Sequence, residues 1–242
     1  MKTFTLFISL LSSIFGATAA EKTAQMDSKT KETMAKINKV AGITDKVKSI
    51  QTVTQNGKML IPAMQMKGEV KVVTKADKIY VESRMASMVE KQAVTGDKGW
   101  GHSMATGIRN LTPQEIGTLQ GDTMKYMFAQ EKFYDTIKLE GNENFAGKDC
   151  IKIILTKAGM KPSIQYFDAK TYMPVGEIQI IASPMGEMKA EIVIKEIERH
   201  KLGFLFPKAL EQTVGPMKMN LIIESIEVDK EIDDKLFEKP TN

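Results

Sequence analysis

Two stretches decide the fold: EMKAEIVIKEIE (Glu187–Glu198) and MKMNLIIESIEV (Met217–Val228). Successive side chains of an extended chain point to opposite faces. The first stretch therefore puts Met188, Ala190, Ile192 and Ile194 on one face, against Lys189, Glu191, Val193 and Lys195 on the other. The second puts Met219, Leu221 and Ile223 on one face, against Lys218, Asn220 and Glu224. This is the period of a strand with one apolar face, and that face needs a cover.

The pattern continues outward from these strands. KDCIKIILT, SIQYFD and VGEIQIIA precede them; EVKVVT and KIYVESRM flank Lys75-Ala76-Asp77; MVEKQAVT leads through Gly96-Asp97 into GWGHS. KSIQTVTQ and KMLIPAMQM flank Asn56-Gly57, a dipeptide that predicts a two-residue hairpin turn. Strand follows strand at intervals of roughly 8–14 residues without a βαβ rhythm, which predicts an antiparallel meander, curved or closed.

Two segments carry a helical period instead. Ala24 to Val40 places Met26, Thr30, Met34, Ile37 and Ala41 on one side, with Gly42 as the stop. In NLTPQEIGTL, Thr112 stands at the N-cap, Pro113 at the first helical position and Glu115 where a capping box needs it. Ile116, Leu119, Thr123 and Met127 then trace one face. Gly117 and Gly121 interrupt this helix, each at up to about 1 kcal/mol relative to alanine. A weak amphipathic helix is suited to being a movable cover. Two short helices cannot cover a large sheet completely, so the sheet either closes on itself as a core or leaves a cavity.

The first twenty residues hold Lys2, an apolar run from Phe4 to Phe15 and Ala17-Thr18-Ala19, the layout of a secretory signal peptide cleaved after Ala19 or Ala20. The expected organisation is a signal peptide over residues 1–19 and one domain over 20–242, exported and periplasmic. No cysteine stands near the cleavage point, and Cys150, the single one, begins an apolar run as a buried inert thiol would. Lys and Arg number 34 against 30 Asp and Glu, with the signs interspersed, so there is no nucleic-acid stripe.

Seventeen methionines stand out. Met64 and Met66, and Met217 and Met219, have the i, i+2 spacing that puts two thioethers on one face of a strand. Met124 and Met127 would share a helix face, whereas Met85 and Met88, read as one strand, would point apart. Three readings compete: a methionine-filled core, an adaptable cavity for greasy ligands, and thioether coordination of Cu(I). The two histidines, His102 in GWGHS and His200 in ERHKLG, lie far from the Met-x-Met pairs and read as solvated turns, so no metal site and no cofactor is expected. His-Glu-x-x-His, Gly-x-Ser-x-Gly and a phosphate-cradling glycine loop are all missing, so no catalytic residues are expected. Asp233-Asp234 reads as a turn or helix cap.

Several stretches carry a family likeness: NFAGKDCIKIILT, SIQYFDAKTYMPVGEIQI, LGFLFPKAL, IIESIEVDKEIDDKLFEKP, and earlier GDKGW and NLTPQE. In this order they resemble the outer-membrane lipoprotein-sorting proteins, relatives of the periplasmic Lol-type lipoprotein carriers, most densely from Phe145 to Pro240. The resemblance implies a mainly β fold, a half-open antiparallel β-barrel with a helical lid, whose apolar cavity shields acyl chains of a lipid or lipoprotein from water on the way to the outer membrane. Envelope membrane proteins would be further partners. Alternation then nominates as cavity lining Val70, Val72, Met188, Ile192, Ile194, Met219, Leu221 and Ile223 from the strands and Ile116, Leu119 and Met127 from the lid. Charging that wall with Leu221→Glu is expected to abolish lipid binding in a folded protein. The alternatives are a methionine-based periplasmic Cu(I) protein and a non-catalytic envelope interaction module.

Overall fold

The computed structural model describes residues 23–183 and 186–241; the expected signal peptide lies outside them. Helices α1 (Ser28–Ala41) and α2 (Asp45–Lys48) precede six strands: β1 (Thr52–Ile61), β2 (Met66–Lys75), β3 (Lys78–Met85), β4 (Met88–Thr95), β5 (Lys98–Ser103) and β6 (Gly107–Asn110). Helices α3 (Pro113–Gln120) and α4 (Met124–Met127) follow. Seven more strands complete the chain: β7 (Thr136–Phe145), β8 (Lys148–Thr156), β9 (Ser163–Asp168), β10 (Pro174–Ser183), β11 (Gly186–Arg199), β12 (Leu205–Val214) and β13 (Met217–Val228).

All 13 strands form one antiparallel sheet in the order β6-β5-β4-β3-β2-β1-β13-β12-β11-β10-β9-β8-β7. Two meanders are thus stitched together by the pairing of β1 with β13. The edge strands β6 and β7 do not pair with one another, so the sheet stays open as a half-barrel with helices over its inner face.

The Asn56-Gly57 turn is a misreading. Both residues lie inside β1, where the pairing with β13 is interrupted by a bulge between them, and the chain reverses later, at a 3-10 turn over Pro62–Met64. The glycine serves close approach: a Cβ on Gly57 would stand 2.6 Å from the Ile222 carbonyl oxygen. Gly57→Ala is therefore expected to push β1 and β13 apart and cost about 1–3 kcal/mol, read as a lower urea midpoint with an unchanged slope; an unchanged midpoint would mean the strands accommodate the methyl.

Helix α1 starts at Ser28, not Ala24. Ala24 N–H donates to Glu131 O at 2.7 Å and Gln25 bridges to β7, so this segment is extended along the edge strand before Asp27 caps the helix by accepting from Thr30 N–H at 2.7 Å. Gly42 ends it in the left-handed conformation. Met34 and Ile37 pack on Ile137, Ile151, Ile153, Leu155 and Phe167. The second expected helix is two: after α3 the chain straightens at Thr123 before α4 begins.

Outside the barrel a smaller core forms from Val73, Tyr80, Ala93 and Trp100, covered by Ile232, Leu236 and Phe237 of the tail. Trp100 Nε1–H donates to Phe237 O at 2.9 Å. Asp233 caps the final 3-10 turn, and Asp234 pairs with Lys75 and Lys78 at 3.1 and 2.9 Å. Cys150 is buried beside the stacked Phe145 and Tyr166 rings, and burial pushes its thiol pKa up.

Candidate functional site: the inner face and its lid

The inner face has an apolar part and a polar part. In the apolar part Val70, Val72, Ile192, Met219, Leu221 and Ile223 join Leu119 and Met127 of the lid in one buried cluster, with Ile116 partly buried against it. These eleven expected lining residues do not all converge: Met188 packs in a separate small cluster with Ile181, Ala190 and Val214, and Ile194 is half-buried next to the irregular pairing of β11 with β12. The lid fills the space it covers, because Met124, Met127 and Phe128 are buried with the sheet residues they touch. Phe128 meets Phe204 edge-on, ring centroids 5.6 Å apart.

The strand geometry accounts for the methionines that lie within strands, with two corrections to the expected pairs. Met64 lies in the 3-10 turn, so it does not share a strand face with Met66. Met85 and Met88 belong to different strands and are direct cross-strand partners, so they share a face instead of pointing apart. His102 is a half-buried residue of β5, not a turn residue, and His200 stacks on Phe204 with centroids 4.6 Å apart, its imidazole pKa lowered by burial. Among the described residues no group of three His, Cys, Asp or Glu is placed to hold a metal ion.

The lid is anchored at its start and tightly fitted along its length. Arg109, at the end of β6, donates to both Glu115 carboxylate oxygens, at 2.9 and 2.5 Å. Thr112 N–H donates to Glu115 Oε2 at 2.8 Å while Glu115 N–H donates to the Thr112 hydroxyl at 3.3 Å, completing the capping box. Burial alone would raise the Glu115 pKa, but the guanidinium and the Thr112 donors outweigh it and hold the carboxyl below the ordinary glutamate range. The lid glycines are closely packed: a Cβ on Gly117 would meet Met160 Sδ at 3.0 Å, and one on Gly121 would meet the Phe133 ring at 3.0 Å, so either neighbour would have to shift slightly to admit it. Lys125 N–H, donating to Ala76 O at 2.9 Å, fixes α4 to the β2–β3 turn.

Sequence reasoning missed the polar part. Gln165 of β9, Glu177 of β10 and Gln212 of β12 are buried on the inner face, Glu177 lying opposite Gln165 on one side and Ile192 on the other. Gln165 Nε2–H donates to Gln130 Oε1 at 3.3 Å across the gap to the lid segment, and Gln179 donates to Glu177 at 2.8 Å. Asp122 and Glu131 are buried on the lid side. Burial, with Glu177 and Asp122 adding to it, raises the Tyr134 phenol pKa.

Two openings adjoin this architecture. One, of about 400 Å³, lies beside α4, floored by Ile50, Met124 and Phe128 and flanked by Lys48, Lys125 and Lys132. The other, of about 690 Å³, is a groove on the outer face containing Leu60 and Ile222.

No protein-family model matches the sequence, and no curated protein does. Solved structures match in fold. An outer membrane lipoprotein-sorting protein domain from Vibrio parahaemolyticus aligns at a TM-score of 0.52 and 10% identity, covering 78% of this chain and 89% of that one. A DUF1329 family protein from Desulfovibrio piger aligns at 0.54 and 12%, covering 83% and 95%. A LolA superfamily protein from Nitrosomonas europaea aligns at 0.52 and 15%, covering 83% and 96%. At these identities the shared property is the fold, an open antiparallel sheet with helices over its inner face.

Proposed function

We propose that the protein is a non-catalytic periplasmic carrier, processed at the end of residues 1–19, that binds the acyl chains of a lipid or lipoprotein between the inner sheet face and the α3–α4 lid. The observation that carries this reading is the single apolar cluster shared by sheet and lid, covered by the short helices α3 and α4 and bordered by Ala41, Val47 and Ile50 of the α1–α2 segment and by Phe204. Such a cover can leave while the sheet keeps its own hydrogen bonds. Each methylene moved from water onto the exposed wall contributes about 0.8 kcal/mol, so a long acyl chain can replace the lid side chains it displaces. The opening beside α4 supports the route, since its apolar floor and three lysines suit an acyl chain with an anionic head. The polar part of the inner face offers amide and carboxylate groups to the polar end of an amphipathic ligand. The lining assigned to Val70, Val72, Ile192, Met219, Leu221 and Ile223, with Ile116, Leu119 and Met127, belongs to this reading. Lipid-bearing envelope partners follow from it, and no resident cofactor is needed.

Native mass spectrometry of the mature protein from its own periplasm, followed by organic extraction, tests the reading. A stoichiometric lipid or acylated peptide is the expected result. A bare mass that lipids leave unchanged and Cu(I) raises would transfer function to the thioethers.

A further inference from the structure

In an antiparallel meander every second connection lies on the same rim. The register places the β1–β2, β3–β4, β5–β6, β8–β9 and β12–β13 connections together on one rim: Leu60 pairs with Asn220, Met85 with Met88, Ser103 with Gly107, Leu155 with Ser163 and Val214 with Met217. Each of these connections contains or adjoins methionine: PAMQMK (residues 62–67), RMASM (84–88), SMATG (103–107), KAGMKP (157–162) and GPMK (215–218). On the opposite rim the turns KADK (75–78), TGDK (95–98) and FAGK (145–148) contain none, while the β9–β10 connection holds the partly buried Met173. The three methionines exposed to solvent among the described residues, Met64, Met88 and Met104, all belong to the first of these rims.

Three of these tips are neighbours along the sheet, and each presents one methionine to solvent: Met64 is 56% exposed, Met88 40% and Met104 74%. The remaining exposed large apolar residue among those described, Ile222 at 50%, lies in the outer groove that Lys67, Arg84 and Ala86 of the same tips help to line. The charges are as selective. The five tips carry Lys67, Arg84, Lys157, Lys161 and Lys218 and no carboxylate. Arg84, Lys161 and Lys218 pair with Glu82, Glu187 and Glu211, of which Glu82 and Glu211 stand farther along their strands and Glu187 at the start of β11.

We infer that this rim docks the protein on an anionic lipid bilayer surface, with Met64, Met88 and Met104 entering the headgroup–acyl boundary and the tip cations facing lipid phosphates. Unbranched thioethers adapt to an irregular, moving surface at little conformational strain. Lys and Arg at the tips complement the negative potential of such a membrane, and the combination of apolar insertion with cationic flanks is that of interfacial anchors. The inference does not depend on the carrier reading, since a docked rim needs no ligand under the lid.

The test is co-sedimentation of the mature chain with vesicles of phosphatidylglycerol and phosphatidylcholine in equal parts, against phosphatidylcholine alone. The expected result is binding to the anionic vesicles, weakened by salt, and lost tenfold or more in the Met64→Gln/Met88→Gln/Met104→Gln variant. These positions are exposed, so the variant's circular dichroism and its binding of an acyl-chain probe should match the wild type, which separates failure of the rim from failure of the cavity. Equal vesicle binding by the variant, or none by the wild type, would overturn the inference. So would Cu(I) binding by wild type that the variant loses while vesicles bind neither, since the rim would then be a thioether metal site.

Discussion

Glu115→Ala is expected to open the lid without unfolding the sheet. The substitution removes the capping box and leaves the half-buried Arg109 fork without its carboxylate. The Thr112 hydroxyl still accepts from the N–H of residue 115, but the lost carboxylate half of the box and the broken, largely buried ion pair together weaken the segment by about 2–3 kcal/mol. Amides of residues 113–127 should then exchange roughly 30- to 150-fold faster, while those of β1, β12 and β13 keep wild-type protection. The sign with pH is fixed by the same geometry. The Glu115 pKa is depressed on folding, so its contribution is present above the ordinary glutamate range and is lost as pH falls through the lower folded-state pKa. Wild-type lid protection should therefore decline toward that acid range, and the variant should lack this part of the decline. Uniform loss of protection across lid and sheet would mean that the lid is an integral part of the fold.

Leu221→Glu, in contrast, is expected to destroy the fold. Leu221 is 1% exposed and is enclosed by the inner-face cluster. A carboxylate there has no cation among the residues it would join, and the effective penalty for an unpaired buried ion is several kcal/mol, comparable with a total stability of about 5–15 kcal/mol. This corrects the sequence-based expectation of a folded protein that fails to bind. Leu221→Ala, at about 2–5 kcal/mol, leaves more of the native population to assay. Urea unfolding of both variants provides the check: a cooperative, wild-type-like transition for the glutamate variant would show that this face is solvated, and with it that a wet cavity already exists.

The parts of this structure that were legible in the sequence are those where one local rule acts alone. Thr112, Pro113 and Glu115 announce a helix start that forms as written. The alternation in β11 and β13 identifies the face that carries Ile192, Met219, Leu221 and Ile223 into the buried cluster. Asn56-Gly57 was misread because a glycine needed for a neighbouring strand's carbonyl has the same local signature as one needed for a turn. Gln165, Glu177 and Gln212 were illegible for a related reason: a polar residue in an alternating strand reads as solvent-facing, and only tertiary pairing with the lid turns that face inward. The methionine rim could not be seen at all until the register placed the tips of separate hairpins side by side.

The central claim, that acyl chains lie between sheet and lid, is tested most directly by loading the protein with a long-chain fatty acid bearing a photoreactive group near its methyl end and mapping the crosslinks residue by residue. Met219 and Leu221 face the lid, whereas Ile222, next to Leu221 in β13, and Leu60, opposite Asn220 in β1, line the outer groove. Crosslinks on Leu119, Met127, Met219 and Leu221 are the result this account predicts. Crosslinks confined to Leu60 and Ile222 would contradict it and place the greasy ligand on the outside of the barrel.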